Sequence, residues 1–194
     1  LYVVNNVNDL DGKYTGNTAA LGNGGGAYVN GNVLTNAGGN YTNNNAGTDG
    51  GGMYVNGTVQ SLIASFQNNR AVTGNGGGAY INTITNSSSA NFSNNIAAGS
   101  GGGLYVGPGG IGNGVTGTFL NNRANTGDGG AIYSAGNIGG DVKATFIQNY
   151  ASQDGGAISA SSIDTIDSTT FAKNSAGRNG GAIHSNGTVS DITN

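Results

Sequence analysis

The sequence predicts an all-β chain wound as a right-handed parallel β-helix, with about 26 residues per coil and about seven coils. Three observations carry that expectation. Two short motifs alternate in register along the whole chain, each seven times. Their period falls in the range of solenoids and is too short for a four-stranded propeller blade, which needs roughly 40 residues. The third observation is composition. The 194 residues include 40 Gly and 31 Asn, a density at which helices of ten or more residues cannot be sustained. Without a repeat such a chain would be read as disordered.

The first motif is an aromatic residue, two residues, Asn, one residue and Ala. It starts at Tyr14, Tyr41, Phe66, Phe92, Phe119, Phe146 and Phe171. Its Asn column is Asn17, Asn44, Asn69, Asn95, Asn122, Asn149 and Asn174, and Ala follows two residues later in every copy. In a β-helix, equivalent residues of successive coils lie about 4.8 Å apart. The aromatic column is therefore expected to form an internal stack, each ring contributing roughly 1.5–3 kcal/mol by burial. The Asn column is expected to form an internal ladder in which each amide bonds its neighbours above and below. Ala is expected to fit beneath a tight corner.

The second motif is Gly-Gly, then Gly or Ala, an apolar residue and usually Tyr. It begins at Gly24, Gly50, Gly76, Gly101, Gly129, Gly155 and Gly180. The Gly-Gly step implies backbone angles or a coil approach that a Cβ would prevent. Asn23, Asp49, Asn75, Ser100, Asp128, Asp154 or Asn179 precedes it, and is expected to bond backbone N–H groups of its own turn. After it, large and small residues trade places: Ala27 with Val29 and Ala79 with Ile81 give way to Ile132 with Ser134 and Ile158 with Ala160. Such compensation marks two inward neighbours. Alternation then turns the intervening column outward: Tyr28, Tyr54, Tyr80, Tyr105, Tyr133, Ser159 and His184. Its five tyrosines form a surface ladder that would also serve as an aromatic stripe for a sugar or a protein.

Other chemistry is sparse. All nine acidic residues are Asp, against three Lys and three Arg, which is too few cations for a nucleic-acid stripe. No apolar run approaches the roughly 18 residues of a membrane span. There is no Cys for a disulfide or a thiolate site. Asp128 and Asp154 share a column on adjacent coils, where Ca2+ between them is the one cofactor the sequence suggests; the alternative gives both Asp the turn role of the other column members. Arg70 and Arg123 follow the column Asn and are expected to be solvated turn residues. No carboxylate cluster with Arg or Lys marks a lyase or hydrolase site, and His184 has no nucleophile at a diagnostic spacing. Thr118, Thr145 and Thr170 align beside the aromatic column, a short plane for an ice- or mineral-binding reading.

The pairing of FxxN with GGA[ILV], as in Phe119–Asn122 with Gly129–Ile132 and Phe146–Asn149 with Gly155–Ile158, resembles the repeat of polymorphic outer-membrane proteins, autotransporter adhesins best known from chlamydiae. The first four copies depart by carrying Gly-Gly-Gly, and Tyr14 and Tyr41 replace Phe. The resemblance implies a surface-exposed, non-enzymatic β-helical passenger that mediates attachment, and it assigns no catalytic residues.

The expected function is thus an extracellular structural or adhesive rod, facing a glycan or protein on a host or neighbouring cell. The alternatives are a glycan-processing β-helix enzyme and an ice- or surface-binding protein. Residues 1–194 form one repeat domain. Because Leu1-Tyr2-Val3 matches the end of the second motif, the domain is expected to be a segment of a longer solenoid, or to stack end to end into a fibre.

Overall fold

The computed structural model describes residues 1–193. It is a parallel β-solenoid of about seven turns, with about 26 residues between coils. A fifteen-stranded parallel sheet wraps most of the circumference, and a seven-stranded sheet of two-residue strands closes it. Among the described residues no helix is long and apolar enough to cross a membrane.

The motifs set the register. Tyr28 pairs with Tyr54, Tyr54 with Tyr80, Tyr80 with Tyr105 and Tyr105 with Tyr133. Phe66, Phe92, Phe119, Phe146 and Phe171 pair in the same way one face further round. The short strands, among them Ile96–Ala97 and Arg123–Ala124, pair through the Ala of the first motif, and most of that Ala column is buried.

Each coil turns at two left-handed corners, which draw on Gly and Asn. The first Gly of each Gly-Gly pair has a positive φ, for example +65° at Gly129 and +62° at Gly180. The second needs space: a Cβ on Gly130 would lie 2.2 Å from the carbonyl oxygen of Gly156 in the next coil. The other left-handed position directly precedes the ladder Asn. There Gly16, Asn43, Asn68, Asn94, Asn121, Gln148 and Lys173 have φ between +52° and +68°. Asn tolerates this conformation better than other side chains, because its amide bonds nearby backbone.

One apolar core runs the length of the solenoid. Both members of the compensating pairs point into it: Ala27 with Val29, Ala79 with Ile81 and Ile132 with Ser134 are all buried. Tyr41, Phe66, Phe92, Phe119 and Phe146 are fully buried and stacked, with centroids 4.7–5.2 Å apart. Tyr41 carries the one buried hydroxyl of that stack, and its Oη has no partner. Replacing a burial-penalised, unpaired hydroxyl by hydrogen gains stability. Tyr41→Phe is expected to raise the unfolding free energy by about 1 kcal/mol, read from the urea midpoint at unchanged slope.

Candidate functional site

The tyrosine stripe lies where alternation along each strand turns one side chain outward between two buried ones. Tyr28, Tyr54, Tyr80, Tyr105 and Tyr133 are half-buried. Neighbouring rings are nearly parallel, with centroids 5.2, 4.8, 4.7 and 5.0 Å apart. Ring faces therefore cover one another, and the stripe offers solvent its edges and hydroxyls. Burial, then the neighbours Tyr80 and Tyr133, then Asp49, push the Tyr105 phenol up to about 12. The Tyr105 hydroxyl therefore stays protonated at ordinary pH and acts as a hydrogen-bond donor. Tyr54 Oη reaches Asn56 Oδ1 at 3.4 Å, and Asn56 Nδ2 donates to Asn30 Oδ1 at 2.9 Å. An amide edge thus borders the stripe.

Beyond Tyr133 the column continues as Ser159 and His184. The sequence pattern points Ser159 outward with the tyrosines, but it is only 2% exposed. A side chain this short stays below the level of its bulkier column neighbours, so the stripe ends at Tyr133.

The Asn column sits inside the corner that joins the two sheets. Asn44, Asn69, Asn95, Asn122 and Asn149 are at most 1% exposed, whereas Asn17 is exposed and Asn174 half-buried. Asn122 shows the pattern. Its Nδ2 donates to Asn149 Oδ1 and to the Phe92 carbonyl, both at 3.0 Å. Its Oδ1 accepts from the backbone N and the Nδ2 of Asn95, at 3.1 and 3.0 Å. Both amide hydrogens and both lone pairs are thereby used.

A second polar column runs through the residues before Gly-Gly. Asn23 accepts from the backbone N of Asp49, Asp49 from Asn75, Asn75 from Ser100, and Ser100 from Asp128. Asp128 Oδ1 then accepts from Asp154 N at 2.9 Å, and Asp154 Oδ1 from Asn179 N at 2.9 Å. The sequence pattern places these bonds within each turn; the structure runs them from one coil to the next. The signal for this in the sequence is the restriction of the column to Asn, Asp and Ser, which all carry an oxygen at the same short reach.

Asp128 and Asp154, the pair with calcium spacing, do stand on adjacent coils, where Asp128 Oδ1 and both Asp154 oxygens already face protein donors. Asp154 Oδ2 is bound by Arg178 Nη2 at 2.5 Å. That hydrogen bond, more than any other contact, holds the Asp154 carboxyl at about 2. Among the described residues no three His, Cys, Asp or Glu side chains gather as metal ligands. Arg123, expected to be a solvated turn residue, lies 4.3 Å above the Tyr150 ring, a cation–π contact one coil long. Thr118 pairs with Thr145 and Thr145 with Thr170, a row of three outward rungs.

A parallel solenoid held by repeated internal columns is a scaffold for presenting surface, built from one unit per coil. Four segments, residues 89–107, 116–135, 143–161 and 168–186, match the Chlamydia polymorphic membrane protein (Chlamydia_PMP) repeat. Each matched segment holds one aromatic-Asn motif and the Gly-Gly motif that follows it, so the chain carries this repeat in four successive coils. The fourth Gly-Gly-Gly copy, from Gly101, falls within the first matched segment. No curated protein and no solved structure matches the chain. Polymorphic membrane proteins are in general non-enzymatic surface proteins, and these four coils are similar to their repeat.

Proposed function

We propose that this chain is a rigid, non-enzymatic β-helical rod of an extracellular adhesin or fibre, which meets a glycan or protein of a host or neighbouring cell through its tyrosine stripe. The observation that carries this reading is the unbroken stack from Tyr28 to Tyr133. Its five rings lie in register on one side of the solenoid. Tyrosine edges with their hydroxyls, bordered by Asn amides, supply apolar contact and hydrogen bonding at little entropic cost, because the stack already fixes each ring. The mechanism is mechanical: a ladder continuous from coil to coil resists local opening and carries the stripe away from its anchor.

The triple variant Tyr54→Ser, Tyr80→Ser, Tyr105→Ser tests it. Beads coated with the variant are expected to lose attachment to cultured cells that wild-type beads bind. The β-sheet circular dichroism should be retained, because the replaced side chains point away from the core. Variant beads that attach as firmly as wild type would make the stripe a purely structural ladder.

A further inference from the structure

A second surface lies on the outward side of the large sheet, one face away from the tyrosines. Three hollows of about 190, 340 and 440 Å³ follow one another there along the solenoid axis. The first two share Asp11, Gly39 and Ile63, and the second and third share Ser89, so together they form one trough. It begins at Asp9 and Asp11 in the first coil and ends at Asp141 and Lys143 in the sixth. Gly39, Ala64, Gly114 and Gly140 keep the lining low, while Asn40, Ser65, Asn91 and Thr116 supply amides and hydroxyls. Ile63, 51% exposed, provides an apolar patch in the wall.

We propose that this trough binds a neutral, extended, β-1,4-linked polysaccharide, with about one sugar unit per coil. Three features select that class. Equivalent wall positions recur about every 4.8 Å, close to the advance of one pyranose in an extended chain. A β-strand peptide repeats every two residues, about 6.6 Å, and falls out of step within two coils. Charge excludes polyanions. Asp9 and Asp11 occupy one end, and at the other Lys143 is already paired with Asp141 at 2.9 Å and Asp167 at 3.0 Å. The wall chemistry matches hydroxyl-rich ligands, since short amide and hydroxyl side chains both donate and accept. The proposal stands independently of the tyrosine stripe.

The test is calorimetric titration of the whole chain with β-1,4-linked oligomers of glucose and of N-acetylglucosamine, from two to eight units, with polygalacturonate as the anionic control. Affinity is expected to rise with length to about six units and then level off, with at least about a tenfold gain from trimer to hexamer. The double variant Ser89→Tyr, Thr116→Tyr, which fills the trough from exposed positions, is expected to lose at least about tenfold. Ser65→Tyr serves as a second blocking variant if that one fails to fold. Tyr54→Ser, Tyr80→Ser, Tyr105→Ser should bind these oligomers as wild type does, which separates this site from the stripe. No binding of either series, affinity indifferent to length, full affinity in a folded blocking variant, or tighter binding of polygalacturonate would each overturn the assignment.

Discussion

Asn122→Ala is expected to lower the unfolding free energy by about 4 kcal/mol, among the larger effects a single substitution can have. The substitution removes no large apolar surface, so the loss comes from groups left without partners. The backbone N and Nδ2 of Asn95 lose their shared acceptor. The Phe92 carbonyl and Asn149 Oδ1 each lose a donor. All of these lie in a corner that water does not reach, where each stranded group costs about 1–3 kcal/mol less whatever relaxation recovers. Asn17→Ala is the control. Asn17 is exposed and sends only its backbone N and Nδ2 to Asn44 Oδ1, at 2.9 and 3.0 Å. Its loss should cost under about 1 kcal/mol, because Asn44 Oδ1 keeps the backbone N–H of residue 17 as a donor and no other side-chain bond is lost. Urea unfolding of both variants reads the difference, and equal costs at the two positions would refute the buried ladder.

Gly130→Ala is expected to be still more damaging, leaving little folded protein at room temperature. Gly130 is the second Gly of its pair, and its backbone is not left-handed. The obstacle is the next coil: an added Cβ would meet the Gly156 oxygen at 2.2 Å and the Tyr150 backbone at 2.6 Å. No side chain can swing aside there, so two coils must separate and their shared hydrogen bonds, such as Gly130 N to Gly155 O at 3.1 Å, must stretch. The same substitution at Gly181, in the same column of the last coil, meets only the Asn174 carbonyl oxygen at 3.7 Å. Gly181→Ala in the 194-residue chain should therefore change stability by less than about 0.5 kcal/mol. Expression and thermal melting of the two variants side by side decide the matter. A Gly130→Ala protein that folds like wild type would mean that the coils stand further apart at this corner than their hydrogen bonds imply.

Much of this architecture is legible in the sequence because a solenoid converts three-dimensional neighbours into a fixed sequence interval. The column Phe66, Phe92, Phe119, Phe146 reads as a stack from the sequence alone, since identical residues at one coil period fall on top of one another. Gly-Gly reads as a corner, but the division of labour within it does not, because the first Gly answers to φ and the second to the neighbouring coil. The preference of Asn, Asp and Ser for local bonds points the residues before Gly-Gly to turn formation. Only the register shows that their oxygens reach the next coil instead. The left-handed column ending in Gln148 and Lys173 is hidden by those two residues, which are poor formers of that conformation; Gln148 is held there by its backbone N–H bond to the Ala172 carbonyl of the next coil. Surface chemistry is hardest to read. The trough arises from small residues such as Gly39 and Gly114 on an otherwise regular face, and concavity leaves no periodic signature.

The placing of amide on amide is best tested by hydrogen exchange of the Asn side-chain amides, followed by NMR. The Nδ2 hydrogens of Asn44, Asn69, Asn95, Asn122 and Asn149 should exchange only through global unfolding, far more slowly than those of the exposed Asn40 and Asn91. Side-chain amides that exchange equally fast at all seven positions would contradict a dry ladder at the centre of this fold.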